Sequence, residues 1–303
     1  VGNEESFRFL ETVLTEVMDI FPSKYIHIGG DEAGKEHWKN CVKCQQRMKD
    51  EGLSNVDELQ SYMIQRIERF VNSKGRRIIG WDEILQGGLS PDATVMSWQG
   101  EEGGIASALQ SHDVIMTPNT YLYFDYYQTK DIDNEPLAIG GYLPLENVYK
   151  YEPMPKSLTP EEQKYIIGVQ ANLWTEYIPT FTQVEYMLLP RMAALSEIQW
   201  SAAEKKNYDC FLSRLPQLTN LYDVKGYNYA THAFDITGRL VPNTEEEALE
   251  VTFKTIDNCP VYYTLDGTEP TATSAKYEGA LKLKESCVVK AKGIRATGET
   301  RIF

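Results

Sequence analysis

The sequence predicts an α/β protein of the (β/α)8 TIM-type barrel class, followed by a small all-β sandwich domain. Short apolar runs with strand character alternate with helical patterns, which implies parallel strands joined by right-handed crossovers. Several of these runs end in acidic residues or tryptophan, and a barrel builds its site from the carboxyl ends of its strands. From about residue 229, apolar and polar residues alternate between turn signals, as they do in antiparallel sheets.

The chain opens on a predicted helix, because Phe7, Leu10, Leu14 and Val17 recur at helical spacing until the segment FPSK ends the pattern. The segment KYIHI follows as a short buried strand. Four further strands are predicted, from the segments RRIIGW, ATVMSW, HDVIM and IIGVQANLW.

Three more helices are expected between and after these strands. The first covers residues 56–73, where Ser54 and Asp57 suit a capping box and Gly75 suits a C-terminal cap. The others come from GGIASALQ and, after the last strand, from TQVEYMLLPRMAALSEIQW. In the C-terminal segment, Asp266-Gly267 predicts a hairpin turn.

Polar chemistry at several strand ends favours a barrel over a doubly wound sheet, which would gather its ligand at one switch point. Only about five strand–helix units are visible where a barrel needs eight. The first three units are therefore expected to be missing from this chain, unless a partner or another chain supplies them. The predicted domains are a partial barrel over residues 1–228 and a β-sandwich over residues 229–303.

Composition restricts the class of partner. The 303-residue chain carries a net charge of −14, which repels phosphate backbones and makes nucleic acid an unexpected partner. No apolar run approaches the ~18 to 20 residues that span a bilayer. The first ten residues lack the basic start and apolar centre of a signal peptide, which leaves open a signal further upstream.

The five cysteines give an odd count, so at least one is unpaired within the chain. Cys41 and Cys44 form a CxxC motif, but no second CxxC completes a four-cysteine zinc site. A structural or incidental role is the expectation for this pair. Whether Cys259 and Cys287 are paired is left open by the sequence.

Asp31 and Glu32 are the strongest catalytic candidates. Other acidic pairs lie near helix starts, where carboxylates favour the helix dipole, whereas this pair follows a buried strand and the glycines Gly29 and Gly30. In a desolvated site one of two neighbouring carboxyl groups is expected to have a raised pKa and to act as a general acid. The other would stay anionic and stabilise positive charge, which suits glycoside cleavage.

Five motifs carry a family resemblance. HIGGDE at 27–32, GWDEIL at 80–85, SWQG at 97–100, YLYFDYYQ at 121–128 and NLWTE at 172–176 together resemble the β-N-acetylhexosaminidases of glycoside hydrolase family 20. The motifs occur in the family's order, and the resemblance covers roughly residues 1–225. YYTLDGTEP at 262–270 resembles the C-terminal β-sandwich of bacterial members.

The resemblance implies substrate-assisted catalysis, in which the 2-acetamido oxygen of the substrate attacks the anomeric carbon and forms an oxazolinium ion. Glu32 would be the general acid and then the base that activates water. Asp31 would hold the acetamido N–H and offset the developing positive charge. No cofactor and no metal is implied.

The resemblance also implies a set of substrate-binding residues. Trp81, Trp98 and Trp174 would form a cage around the acetamide methyl, with Trp174 stacked under the sugar; the alternative is that they are plain core aromatics. Tyr123 would donate to the acetamide oxygen, with Tyr121 as a possible substitute.

Two carboxylates would accept hydrogen bonds from sugar hydroxyls. Asp125 is one of them; Glu176, at C4 or C6, is the other, unless it is simply a solvated surface acid. His27 would orient the catalytic loop and is not expected to bind metal. Asp82 and Glu83 are interpreted as hydrogen-bonding support behind Trp81.

The implied function is that of a retaining exo-β-N-acetylhexosaminidase, which removes terminal β-linked GlcNAc or GalNAc from glycans or chitooligosaccharides. The arginine and further His or Asp partners that the family supplies from its first barrel strands have no counterpart in this chain. One alternative is therefore a catalytically incomplete fragment that only binds carbohydrate. Another is a barrel glycosidase with a separate carboxylate nucleophile. A periplasmic or extracellular location is expected, and a homodimer is left open.

Overall fold

The computed structural model describes residues 1–296 and 298–303. The chain forms two compact units. Unit 1 comprises residues 1–123 and 151–172, and unit 2 comprises residues 124–150 and 173–303. The α-helices of the described residues are α1 (Glu4–Ile20), α2 (Glu36–Asn40), α3 (Val42–Asp50), α4 (Val56–Ser73), α5 (Glu102–Leu109), α6 (Asn119–Leu122), α7 (Leu145–Lys150), α8 (Pro160–Gln163), α9 (Phe181–Leu188), α10 (Arg191–Trp200) and α11 (Tyr208–Lys225).

Unit 1 contains a five-stranded parallel sheet, and all five predicted strands are present. The strands pair in the order in which they occur along the chain. This order has no reversal, and so none of the switch points at which doubly wound sheets bind ligands. The strands are β1 (Tyr25–His27), β2 (Arg77–Trp81), β3 (Thr94–Ser97), β4 (Val114–Met116) and β5 (Ile166–Val169).

Helix α4 has the predicted bounds but a different N-cap. The side chain of Asn55 accepts from the backbone N–H groups of Asp57 and Glu58, both at 2.9 Å. Ser54 instead donates its backbone N–H to the Glu58 carboxylate at 2.7 Å. The predicted Ser54–Asp57 capping box is therefore wrong. Asparagine is as good an N-cap residue as serine, and Asn55 lies one residue closer to the helix. At the other end, Gly75 has the expected positive φ of 73°.

The core of unit 1 packs α1 and α4 against the sheet. Apolar residues at helical spacing face residues that alternate along the strands. The buried members of this cluster are Phe7, Met18, Ile26, Ile64, Ile67, Val71, Ile78, Ile84, Ala93 and Val95.

In unit 2, the single helix predicted for TQVEYMLLPRMAALSEIQW is two helices, α9 and α10. Pro190 separates them, because proline has no N–H to donate and its ring clashes with the preceding turn. Thr180 caps α9 by accepting from the Gln183 backbone. The single-helix prediction is wrong at this point.

The C-terminal part of unit 2 contains two antiparallel sheets. One has the order β10–β7–β6 and the other has the order β12–β11–β8–β9. Val251, Phe253, Val261 and Ala291 form a buried cluster with members from both sheets. The strands are β6 (Thr237–Asn243), β7 (Ala248–Lys254), β8 (Val261–Thr264), β9 (Ala275–Lys276), β10 (Leu281–Leu283), β11 (Lys290–Arg295) and β12 (Gly298–Glu299).

The predicted Asp266-Gly267 hairpin turn is wrong in its form. The two residues lie in the connection between β8 and β9, which covers residues 265–274 and is too long for a two-residue turn. Gly267 does have a positive φ of 79°. Asp266 accepts from the backbone and the hydroxyl of Thr268, which makes a local Asx turn.

All five cysteines, each within the described residues, carry free thiols, so Cys259 and Cys287 are not bonded to each other. Within residues 1–296 and 298–303, no helix has the length and apolar character that a membrane span requires.

Candidate active site

The loop after β1 carries Asp31 and Glu32 in an unusual backbone conformation. Gly29 and Gly30 have φ values of 73° and 95°, and Glu32 has a φ of 49°. A non-glycine residue with positive φ is uncommon and marks positions that the surroundings over-determine. A Cβ at Gly30 would lie 2.5 Å from Cγ2 of Ile84. Both this close approach and the positive φ therefore require glycine at this position.

Both candidate carboxylates are exposed rather than desolvated, and the expectation of a crowded, dry site is wrong for this chain. The inner side of the loop is packed, since Gly30 lies against Ile84. The carboxylate side of the loop is left open to solvent. The carboxyl group with a raised pKa in this region belongs to Asp82, in the turn after β2.

His27 lies at the end of β1 and contacts the same loop. Its Nδ1 accepts from the backbone N–H of Gly29 at 3.1 Å, and its ring lies 4.7 Å from the Trp81 ring. Desolvation lowers the pKa of His27, while the nearby Asp31 charge acts in the opposite direction. A neutral imidazole that accepts the Gly29 N–H would help to fix the loop that carries Asp31.

The aromatic candidates of unit 1 follow successive strands. Trp81 ends β2, Trp98 follows β3 and Tyr123 follows β4. The rings of Trp98 and Tyr123 stack at a centroid distance of 6.1 Å with an interplanar angle of 16°. Since the carboxyl ends of parallel strands meet at one edge of a sheet, these rings share that edge with Asp31 and Glu32.

Tyr121 has a different neighbour from Tyr123. Its ring stacks on Tyr151 at 4.9 Å with an interplanar angle of 14°. Tyr123, not Tyr121, is the tyrosine that stacks on Trp98. Of the two tyrosines that the sequence left open, this geometry favours Tyr123.

Asp82 and Glu83 form a buried carboxyl pair in the 3-10 turn that follows β2. Burial raises the pKa of Asp82 to about 7, and the charge of Glu83 acts in the same direction. The Glu83 carboxylate accepts from the Trp98 indole Nε1 at 2.9 Å and from the Gln99 side chain at 3.2 Å. The pair therefore supports the segment after β3 as well as lying next to Trp81.

Because of the Asp82 carboxyl group, we expect the stability of the protein to fall as the pH rises. The pKa of Asp82 is about 7 in the folded chain and 3.8 when the group is free in water, as in the unfolded chain, so between these values only the folded state holds the proton. Rising pH then lowers the free energy of unfolding by up to ~1.4 kcal/mol per pH unit, and the effect ends above about pH 7.

Replacing Asp82 with Asn removes this titration. Urea unfolding followed by tryptophan fluorescence at pH 5 and pH 8 is expected to show about 2 kcal/mol less pH dependence in the Asp82→Asn variant than in the wild type. Equal pH dependence of the two proteins would contradict the assignment.

Three further candidates lie together in unit 2. Asp125 is 3% exposed, and burial raises the pKa of its carboxyl group. A hydrogen bond from the Trp174 backbone and the charge of Arg191 lower this pKa. The Glu176 charge also raises the pKa of Asp125, which places that carboxylate nearby. Trp174 and Glu176 are themselves exposed, so a ligand can reach them.

Arg191 is a residue whose importance the sequence analysis missed. It is fully buried, and its guanidinium donates to the backbone carbonyls of Phe124, Tyr126, Leu143 and Met187. Two of these carbonyls flank Asp125 in the chain, so Arg191 fixes the segment that presents this candidate. An arginine at the start of the apolar helix segment MAAL was the signal that could have indicated it, because buried arginines require partners.

In unit 1 this arrangement offers two carboxylates on a constrained loop beside stacked aromatic rings. A carboxyl group can donate a proton to a leaving oxygen, and its neighbour can hold a polar N–H or a developing cation. Aromatic faces provide large apolar contact surfaces for a ligand. Most glycoside hydrolases use a pair of carboxyl groups to cleave a glycosidic bond.

Comparison with known proteins agrees with this chemistry. Residues 1–203 match Glycosyl hydrolase family 20, catalytic domain. Residues 241–303 match the Chitobiase/beta-hexosaminidase C-terminal domain. A beta-hexosaminidase of Porphyromonas gingivalis is 45% identical over 302 residues, which cover 98% of this chain and 38% of that protein. A beta-hexosaminidase of Vibrio furnissii is 37% identical over 63% of this chain and 32% of its own length.

Solved structures show the same relationship. The exo beta-N-acetylglucosaminidase of Vibrio harveyi, solved with N-acetylglucosamine, has a TM-score of 0.69 and 32% identity over 76% of this chain and 36% of that one. The beta-N-acetylhexosaminidase of Bacteroides fragilis has a TM-score of 0.64 and 28% identity over 76% of this chain and 46% of that one. The chain thus spans less than half the length of these relatives. By the match over its first 203 residues, the chain belongs to glycosyl hydrolase family 20.

Proposed function

We propose that the chain forms the C-terminal part of a retaining exo-β-N-acetylhexosaminidase, which removes terminal β-linked GlcNAc or GalNAc. The observation that carries this proposal is the placement of Asp31 and Glu32 after β1, at the sheet edge where Trp98 and Tyr123 stack. The name beta-hexosaminidase of the relative that is 45% identical supports the same activity.

The proposed reaction has two steps at the anomeric carbon. In the first, the 2-acetamido oxygen attacks this carbon while Glu32 donates a proton to the departing glycosidic oxygen. Asp31 accepts from the acetamido N–H, which aligns the oxygen and offsets the positive charge of the oxazolinium ion. In the second, Glu32 takes a proton from water, and the water opens the oxazolinium ion. Two inversions give net retention.

The remaining candidates are proposed to bind the sugar. Tyr123 donates its hydroxyl to the acetamide oxygen, and Trp81 and Trp98 contact the acetamide methyl. Trp174 stacks under the pyranose ring in this proposal. Asp125 and Glu176 accept from its hydroxyls. His27 has a different role in the same site and orients the loop that carries Asp31.

We further propose that three strand–helix units from outside this chain complete an eight-stranded barrel. In the sheet order of the described residues, β1 and β5 each pair with a single neighbour. Ile167, on β5, is 48% exposed, and an apolar residue on a sheet edge is suited to pairing and packing. In this proposal the partial barrel covers residues 1–228 and the sandwich covers residues 229–303.

The substrate class and location are proposals of the same kind. Glycans or chitooligosaccharides with a terminal β-linked N-acetylhexosamine fit a site with a carboxylate pair and aromatic faces. A periplasmic or extracellular location fits such substrates, and the proposal needs neither cofactor nor metal. The oligomeric state, including a homodimer, does not enter the mechanism.

The 2-acetamido group is the feature to test. Release of nitrophenol is measured from the β-N-acetylglucosaminide, the β-N-acetylgalactosaminide and the plain β-glucoside and β-galactoside. The assay uses this chain and the same chain joined to its upstream residues. We expect turnover of the two acetamido sugars and rates at least ~10³-fold lower for the plain sugars, because the intramolecular nucleophile is then lost.

Two other results would redirect the assignment. Comparable turnover of plain glucosides would indicate a separate carboxylate nucleophile and would overturn the proposed mechanism. Binding of GlcNAc without turnover, even with the upstream residues present, would indicate a carbohydrate-binding role and would overturn the proposed activity.

A further inference from the structure

We propose that Glu83 is a positioning residue that holds the backbone of Glu32 and the indole ring of Trp98 in place. The inference rests on the proposed function, in which Glu32 is the general acid. Glu83 itself makes no contact with substrate in this proposal. It acts through the two segments that carry the reacting acid and one wall of the sugar site.

Three hydrogen-bond donors from two loops converge on the Glu83 carboxylate. Oε1 accepts from the backbone N–H of Glu32 at 3.4 Å and from the Gln99 side chain at 3.2 Å. Oε2 accepts from the Trp98 indole Nε1 at 2.9 Å. One carboxylate therefore links the loop after β1 to the segment after β3.

The anchor is itself fixed. Glu83 is 7% exposed and lies in the 3-10 turn directly after β2. The buried side chain of Gln60, on α4, donates to the Glu83 backbone carbonyl at 2.9 Å. Burial of a carboxylate is costly unless hydrogen bonds compensate it, and here most of the compensation comes from the two loops with candidate residues.

Glu32 needs such an anchor. It is an exposed residue with a φ of 49°, and it follows Gly29 and Gly30, which restrict the backbone least. The N–H bond to Glu83 ties its backbone to the 3-10 turn that follows β2. Because a displacement of about 1 Å can reduce rates by ~10²-fold, loss of this tie should be visible in catalysis.

Glu83 can accept from all three donors because an ionised carboxylate has only acceptor oxygens. The carboxyl groups of Asp82 and Glu83 are neighbours in one buried turn, and burial together with the Glu83 charge raises the pKa of Asp82 to about 7. A protonated Glu83 would present a hydroxyl to one of the three donors.

Glu83→Gln is the decisive variant, since it keeps the shape of the side chain. A glutamine has one acceptor oxygen and one donor NH2 group. If the oxygen faces Glu32 and Gln99, the NH2 group faces the Trp98 indole N–H, and donor meets donor. If the amide is flipped, Trp98 is satisfied and the Glu32 N–H loses its acceptor.

Glu68→Gln is the matched control. Glu68 is also a buried carboxylate of unit 1, 3% exposed, and it accepts from the backbone N–H of Asp92 at 2.9 Å. Asp92 lies outside all the candidate motifs. This control measures the general effect of neutralising a buried carboxylate that holds a backbone N–H.

The first readout is independent of activity. In protein labelled with ¹⁵N, the Trp98 indole resonance is assigned by its disappearance in Trp98→Phe, and the backbone amide resonance of Glu32 is followed in parallel. We expect Glu83→Gln to shift at least one of these two resonances and Glu68→Gln to shift neither. If both resonances stay in place in Glu83→Gln, the proposal is wrong, whatever the enzyme does.

The second readout separates a displaced acid from a smaller folded fraction. Aryl 2-acetamido-β-glucosides with a good and a poor leaving group are compared, because protonation by Glu32 matters most for the poor one. We expect Glu83→Gln to reduce kcat/KM by about 10- to 100-fold for the poor leaving group and by only a few-fold for the good one. Partial unfolding would reduce both equally, and equal losses would overturn the proposal.

The two readouts also distinguish this inference from the proposed function. If the wild type hydrolyses none of these substrates even with the upstream residues present, the proposed function fails, while the resonances still decide whether Glu83 holds the two loops. If the wild type is active and the resonances and the leaving-group dependence are unchanged in Glu83→Gln, only the inference fails.

Discussion

Replacing Glu32 with Gln is expected to lower kcat for an aryl 2-acetamido-β-glucoside by about 10²- to 10⁴-fold, which is the usual contribution of a positioned general acid–base group. Glutamine keeps the size of the side chain but can neither donate a proton to the leaving oxygen nor take one from water. Steady-state kinetics on substrates with good and poor leaving groups measure the loss, which should be largest for the poor leaving group.

Two further variants make this result specific. Asp31→Asn should lower kcat to a similar degree for good and poor leaving groups, because Asp31 is assigned to the acetamide and not to the leaving oxygen. Glu36→Gln is the control. Glu36 is an exposed carboxylate on α2 that pairs with Lys39, and its loss should leave kcat within about twofold, as surface ion pairs contribute little. Equal turnover by the wild type and Glu32→Gln would show that Glu32 is not the acid.

The sheet of unit 1 was predictable from the sequence because its strands are short apolar runs, each followed by a turn or a helix. β2, β3 and β4 are short apolar runs, and neighbours in the chain are neighbours in the sheet. The errors arose where a single residue decides the local geometry. Pro190 divides one predicted helix into α9 and α10, and Asn55 replaces the expected cap of α4.

Only those features of the candidate site that follow from the order of the strands could be predicted from the sequence. Asp31, Trp81 and Trp98 follow successive strands, so the parallel sheet brings their segments to one edge. The hydrogen bond between Glu83 and Glu32 could not be predicted, because a separation of 51 positions leaves no periodic signal. Exposure of the Asp31–Glu32 pair depends on what covers the loop, which local sequence does not specify.

Arg191→Met is expected to lower the free energy of unfolding by about 3–5 kcal/mol, a loss typical of a disrupted buried hydrogen-bond network. The Arg191 guanidinium donates to carbonyls of Phe124, Tyr126 and Leu143, and no side chain of similar size replaces these donors. Burial lowers the pKa of Arg191, because the charged guanidinium loses its hydration. The dipoles of the backbone carbonyls compensate part of this cost. Urea unfolding of the wild type and the variant measures the difference.

Arg214→Met is the matched control for this prediction. Arg214 is an arginine of unit 2 on α11, and it pairs with Glu197 at 2.7 Å while its side chain stays 59% exposed. Its replacement should cost at most ~1 kcal/mol, since solvent screens the exposed guanidinium and the Tyr149 hydroxyl still donates to the Glu197 carboxylate at 2.7 Å. If the two variants lose equal stability, the buried network is not the reason for the Arg191 effect.

Arg191→Lys separates charge from geometry. Lysine keeps the positive charge but presents one compact ammonium group, which cannot reach carbonyls on both sides of Asp125 as the planar guanidinium does. We therefore expect Arg191→Lys to recover only part of the stability lost in Arg191→Met. Full recovery would mean that a cation beside Asp125 is sufficient. Partial recovery would mean that the fork of donors sets the backbone of residues 124–126, and with it the direction in which Asp125 is presented.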